Sequence, residues 1–312
     1  MSQEILLHAK NLSVGYAEGN AQHVLFHNID LQLSAGQLVC FMGANGIGKS
    51  SLIRTLAGLQ SPIATSSLRI DPKKIAVVLT DRVNSANMNV AELVALGRYP
   101  YLGWTIKLTE EDKSVIERAI QDTHIQHIRD KKLYELSDGQ LQLAMIARAL
   151  AQDTPIILLD EPTAHLDLNN RVEIMNLLRK LTRNSGKAIL VATHELDLAL
   201  QTADLIWLAG KDKKLITGIP EDLVLNNSFD DIFQFKGFDL KTGKVYHEAW
   251  RNKSVKLVGD GYEYLWTKNA LERNGFLLSD DAETKIEANS GNWKINSSNF
   301  PSLQELLVQL NK

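Results

Sequence analysis

Cysteine is almost missing from this chain: a single residue, Cys40, in 312. One thiol cannot close an internal disulfide, so packing alone must hold the fold. Cys40 lies in the run Leu38-Val39-Cys40-Phe41, which predicts a buried, reduced thiol. Long apolar stretches are lacking too. None approaches the ~18 residues needed to cross a bilayer, so a membrane role has to pass through a partner. Met1-Ser2-Gln3-Glu4 carries an acid and leads into no extended apolar segment, unlike a secretory signal, and the expected location is cytosolic. Neither sign of charge is in excess. Lys and Arg total 34 against 37 Asp and Glu, a net charge of -3. That balance gives no global attraction to nucleic acid or to an anionic surface. The apolar fraction of 44% is enough for a real core, and the length suggests two domains.

Loose alternation predicts strands over 4–14 and 23–33. The runs at 38–42, 75–79, 156–159 and 188–191 are continuously apolar, as in strands covered on both faces of a mostly parallel sheet. A helix after residue 50 places Leu52, Ile53, Leu56 and Leu59 on one face. Residues 90–151 read mainly as helix, with Thr109 as an N-cap ahead of Glu110, Glu111 and Asp112. Strands alternating with helices argue for an α/β layer fold. Near residue 235 the texture changes. Aromatics concentrate, Trp250, Trp266 and Trp293 among them, and the turn pairs Thr242-Gly243, Asp260-Gly261 and Ser290-Gly291 recur. Residues 236–312 are read as a small α+β extension with helices near 265–273 and 303–310, its aromatics filling a small core; a regulatory unit that binds a small molecule or the opposite subunit is the other reading.

Gly43-Ala44-Asn45-Gly46-Ile47-Gly48-Lys49-Ser50 fits the phosphate-loop pattern G-x-x-x-x-G-K-[ST], between an apolar strand and an amphipathic helix that continues through Ser51. Glycines let successive N–H groups turn inward around phosphate, and the helix N-terminus adds positive potential. Lys49 is expected to meet the β- and γ-phosphates and Ser50 to help hold Mg2+. A second apolar strand runs into Asp160-Glu161. There the first carboxylate can orient Mg2+ and the second can polarise an attacking water.

Leu136-Ser137-Asp138-Gly139-Gln140 opens a strongly helical stretch and resembles the L-S-G-G-Q signature of ABC transporter ATP-binding subunits. Further marks of that family fall in order over residues 4–235. The resemblance implies an α/β P-loop NTPase fold with a mixed sheet core and a helical subdomain at about 85–150, within a first domain of 1–235. It implies ATP and Mg2+ as ligands. Tyr16 matches the aromatic that stacks on adenine, Asp160 and Glu161 the Mg2+ aspartate and catalytic glutamate, Asp167 the D-loop, and His194 the switch histidine. By the same resemblance Ser137, Gly139 and Gln140 contact the γ-phosphate held by a second copy, so ATP joins two copies head to tail. Two positions depart from the pattern. Asp138 replaces the first signature glycine and is expected to face away from nucleotide. Thr80, followed by Asp81-Arg82, stands where the family has a glutamine, and offers a shorter oxygen to Mg2+.

Val94-Ala95-Leu96-Gly97-Arg98-Tyr99-Pro100-Tyr101 is similar to the segment LVALGRYP of importers for iron-siderophore, haem and cobalamin. That likeness implies separate membrane permease subunits, an indirect link to a substrate-binding protein, and a peripheral place on the cytoplasmic face of the cell membrane. Tyr99-Pro100-Tyr101 is expected to line the groove that receives a permease helix, with Arg98 taking part; a packed connector is the other reading. A soluble ABC ATPase and the ATPase of an exporter stay open as alternatives. No cluster of His or Cys suggests a metal or haem site of the chain's own.

Overall fold

The computed structural model describes residues 4–18, 21–69, 71–80, 87–104, 106–245, 247–289 and 291–310. The chain divides into two units, Met1–Gln234 and Phe235–Lys312.

In the first unit, β1 (Ile5–Glu18) and β2 (Ala21–Ser34) form a long antiparallel hairpin. Next come β3 (Leu38–Met42), α1 (Lys49–Leu56), β4 (Ser67–Arg69) and β5 (Ile75–Val78). The helical segment contains α2 (Val90–Ala95), α3 (Glu110–Asp122) and α4 (Asp138–Ala151). The chain then alternates through β6 (Ile156–Asp160), α5 (Leu168–Ser185), β7 (Ala188–Ala192), α6 (Leu196–Thr202), β8 (Leu205–Ala209) and β9 (Leu215–Gly218). Two short helices close the unit, α7 (Pro220–Leu225) and α8 (Ser228–Phe233).

One sheet has the order β5-β6-β7-β3-β8-β9, parallel throughout except for β9. β3, β6 and β7 are buried along their whole length, which is why they read as unbroken apolar runs. β2, β1 and β4 make a second, antiparallel sheet. Leu7, Phe26, Phe41, Leu52, Leu158 and Trp207 belong to one core, so α1 is packed among both sheets. Cys40, in β3, is fully buried, and burial pushes its thiol pKa up to about 12.

One expectation needs correction. Leu59 falls beyond the end of α1 and is 60% exposed, because the chain has already turned at Gly58. Residues 90–151 are mainly helical, as expected, in several pieces. α2 passes directly into a 3-10 stretch, Leu96–Tyr101, that contains Pro100, and a loop intervenes before Thr109 caps α3. The three helices each begin with a reciprocal capping box, Asn89/Glu92, Thr109/Asp112 and Ser137/Gln140. α4 is tied to the sheet edge by Arg148, which donates to the carbonyl of Val77 at 3.0 Å.

The second unit contains a short hairpin of β10 (Phe238–Asp239) and β11 (Lys244–Val245), turning through Thr242-Gly243. There follow β12 (Ser254–Gly259), α9 (Gly261–Arg273), β13 (Leu277–Leu278), β14 (Lys285–Asn289), β15 (Asn292–Ile295), β16 (Ser298–Phe300) and α10 (Leu303–Leu310). The sheet order is β13-β12-β14-β15-β16. Asp260-Gly261 therefore starts a helix rather than closing a hairpin, and Ser290 lies outside the described residues. Val255, Leu271, Phe276, Ile286 and Leu306 form the core, with Trp293 packed against it; Trp250 and Trp266 remain largely exposed. Aromatic content thus fills the core only in part.

Candidate nucleotide site

Strand register brings the site together. β7 pairs with β3 on one side and β6 on the other, so that Ala192 lies opposite both Phe41 and Asp160. The loops that leave these three strands consequently emerge side by side, at the carboxyl edge where open α/β sheets bind ligands. They carry the phosphate loop, Glu161 and His194.

Gly48 is the N-cap of α1 with φ of 110°, a left-handed conformation that strains any side chain, and a β carbon there would meet Leu25 at 3.0 Å. No side chain caps the helix, so its first amides are left to a ligand. Lys49 is buried, and its Nζ donates to the carbonyl of Gly43 at 3.2 Å and sits 3.6 Å from Glu161 Oε1. Glu161 adopts φ of 49°, unusual for a residue with a side chain, and its amide donates to the carbonyl of Ala192 at 2.8 Å. Its other carboxylate oxygen lies 3.3 Å from His194 Nδ1.

Asp160 is 1% exposed, and among the described residues neither of its carboxylate oxygens has a hydrogen-bond partner. Burial pushes its pKa up, while the nearby Ser50 hydroxyl pulls the other way. An orphaned buried carboxylate beside a serine hydroxyl fits a hard cation bound through oxygen. Asp160 and Ser50 are therefore suited to Mg2+.

A cleft of about 430 Å3 brings together Tyr16, Asn45, Gly46, Gly48, Lys49, Ser50, Ser51, Glu161 and His194. Gly43, Ala44 and Ile47 complete the loop; Ala44 accepts a bond from the amide of Ile47 at 3.2 Å. Thr80 does not line this cleft. It lines a separate groove of about 220 Å3 with Asp138, Gln142, Asp160, Glu161 and His165. Asp138 lines this groove and not the nucleotide cleft. Asp81 and Arg82 lie outside the described residues.

Ser137, Gly139, Gln140 and Asp167 line neither cavity. Ser137 and Gln140 cap α4 reciprocally, and Asp167 caps α5 by accepting from the amide of Asn170 at 2.9 Å. A β carbon at Gly139 would approach Asn170 to 2.9 Å, so the signature glycine permits the close approach of α4 to the start of α5.

Arg98 is also placed differently from expectation. It is buried and paired with Asp112 at 2.8 Å; it donates to the carbonyl of Ala151 at 3.2 Å and stands 4.0 Å over the Tyr101 ring. It is a structural link inside the helical segment, because α2, α3 and α4 converge there and enclose it. Sequence reasoning missed His23, which lies opposite Tyr16 in the hairpin and stacks on it at 5.1 Å. Only the strand register could have revealed it.

A glycine-rich loop over a buried lysine, with a carboxylate pair at the next strand end, defines a P-loop nucleotide-binding ATPase. The comparisons narrow this. Residues 26–164 match the ABC transporter family, and residues 252–311 match the Iron ABC transporter C-terminal domain. An uncharacterised ABC transporter ATP-binding protein of Methanocaldococcus jannaschii is 35% identical over 276 residues, 82% of this chain and 92% of the relative. The petrobactin import ATP-binding protein FpuD of Bacillus anthracis is 33% identical, covering 74% and 87%. The cobalamin import ATP-binding protein BtuD of Halobacterium salinarum is 30% identical, covering 76% and 64%. Among solved structures, an inward-facing metal-chelate type ABC transporter shares 27% identity at a TM-score of 0.67, covering 74% of this chain and 90% of that one. A dimeric bacterial ABC transporter cassette shares 27% at 0.60, covering 69% and 98%. The chain belongs to the ABC transporter ATP-binding proteins and is an ATP hydrolase of the transport class. Among its described residues no helix is long and apolar enough to cross a membrane.

Proposed function

We propose that this chain is the ATP-hydrolysing subunit of an importer for an iron chelate of the siderophore type. The observation that carries the reading is the pairing of an ABC ATPase unit with a C-terminal segment matching an iron-transporter domain. Relatives named for petrobactin and a structural neighbour named for metal chelates support it. Haem and cobalamin are the competing cargoes, the latter from a more distant relative.

The mechanism follows from the cleft. Loop amides and Lys49 hold the β- and γ-phosphates, and Tyr16 stacks on adenine. Ser50 and Asp160 would hold Mg2+, which when bound neutralises phosphate charge. Glu161 takes the proton of a water as its oxygen attacks the γ-phosphorus; the β–γ bridging bond breaks, leaving ADP and phosphate. His194 steadies Glu161. Ser137 and Gly139 lie outside this cleft, which supports a site completed by the signature of a second copy. A homodimer then closes on ATP and opens after hydrolysis.

Exposed Leu96, Tyr99, Tyr101, Trp104 and Ile106 crowd one stretch of the helical segment and supply an apolar surface for a permease. The association would hold the protein at the membrane face. Growth of a strain lacking this chain, on ferric siderophore as the only iron source, tests the reading. The wild-type chain should restore growth and Glu161→Gln should not. Restoration only on cobalamin-dependent or haem media would reassign the cargo.

A further inference from the structure

We propose that Arg171 and Glu195 form a positioning pair that connects the D-loop to the switch histidine and so regulates Glu161. The inference rests on the roles proposed above for Glu161 and His194.

Neither residue sits where helix formation alone would put it. Arg171 lies near the N-terminal end of α5, where a cation is unfavourable to the helix dipole. Glu195 is the N-cap residue of α6, yet its carboxylate makes no cap bond. The two turn to each other instead. Arg171 Nη1 is 2.9 Å from both Glu195 oxygens. At the same time Arg171 Nε donates to the carbonyl of Leu166 at 2.6 Å, gripping the backbone just ahead of Asp167. Glu195 also lies 3.7 Å from His194 Nε2, and His194 Nδ1 lies 3.3 Å from Glu161. An unbroken run of polar contacts therefore joins Leu166, Arg171, Glu195, His194 and Glu161.

The distances order these contacts. Charge-assisted bonds to a guanidinium outcompete a longer approach to imidazole, so Arg171 holds the Glu195 carboxylate and His194 is left to Glu161. Were Arg171 to let go, Glu195 would be free to draw the imidazole away. A shift of the D-loop carbonyl moves the guanidinium directly. In this way the engagement of a second copy against Asp167 would reach the water-activating carboxylate through two side chains.

The test uses the full chain, with Mg2+-ATP hydrolysis and thermal unfolding measured on Arg171→Met, Arg171→Lys, Glu195→Gln and the swap Arg171→Glu/Glu195→Arg. Arg171→Met and Glu195→Gln should each lower kcat by about tenfold with KM within about twofold of wild type. Their unfolding midpoints should stay near wild type. Arg171→Lys keeps the charge but not the fork, and should be intermediate. The swap should recover much of the lost kcat. Unchanged kcat in both single variants would overturn the pair, as would a kcat loss matched by an equal loss of ATP binding and stability. Glu161→Gln serves as the separate control: wild-type hydrolysis in that variant would refute the underlying site, not the pair.

Discussion

The nucleotide cleft and the helical segment both bury charge, and they treat it in opposite ways. In the helical segment Arg98 and Asp112 are paired at 2.8 Å, and further bonds from Thr109 and to Ala151 satisfy what remains. Beside the cleft, Asp160 is as deeply buried, and neither carboxylate oxygen has a hydrogen-bond partner among the described residues. Glu161 next to it is held with positive φ between Lys49 and His194. Satisfied charge fixes a shape; unsatisfied charge is a cost the fold carries until a ligand offsets it.

Substitutions should separate the two regions. The largest effect is expected from Glu161→Gln, which should lower phosphate release by about 1000-fold while ATP binding persists, since general-base assistance is removed and the loop is intact. ATP-dependent light scattering of the same variant should show a stabilised dimer. Arg98→Met should do the reverse. Losing the guanidinium leaves Asp112 with only its Thr109 bonds and should lower the unfolding midpoint, with kcat per folded molecule unchanged.

Acid should reach the helical segment through Asp112. Hydrogen bonds from Thr109, helped by Arg98, lower its pKa from 3.8 to about 2. A depressed carboxylate contributes stability that is fully present above pH 3.8 and is lost as pH falls through about 2. Asp112→Asn should flatten the pH dependence of unfolding in that window. Asp160 has the opposite sign. Its pKa is raised, so its charge opposes folding as pH climbs above the ordinary carboxylate range. Asp160→Asn should raise the unfolding midpoint without nucleotide and abolish the further rise that Mg2+-ATP produces in wild type. The smallest effect is expected at Asp138. Replacing it with glycine, the residue of the family signature, removes a favourable charge from the first turn of α4 and should cost about 1 kcal/mol by chemical denaturation.

Local patterns were the readable part. The phosphate loop, the Asp160-Glu161 pair and the N-cap at Thr109 are each contained within a few consecutive residues, so their chemistry is visible without a fold. The buried strands were visible for a related reason: coverage on both faces leaves a continuous apolar run. Arg98 misled, because an arginine between conspicuous apolar residues reads as surface until Asp112 and Ala151 are known to enclose it. Ser137, Gly139 and Gln140 matched their motif and Thr80 departed from its own, yet neither match nor mismatch carried information about which cavity each would line. His23 and Arg171 had no signal, since each acts through a partner on another element.

What the sequence determined alone is therefore the kind of chemistry: a triphosphate held by a glycine-rich loop beside two carboxylates. Tertiary structure decided how the parts are shared out. The order of β6, β7 and β3 set Glu161 and His194 beside the phosphate loop, while Ser137 and Asp167, at the starts of α4 and α5, lie outside the cleft. The reason is physical. Bonding geometry at a glycine or a helix cap is set by neighbours in the chain, whereas pairing and desolvation of a charge are set by groups that only folding brings near.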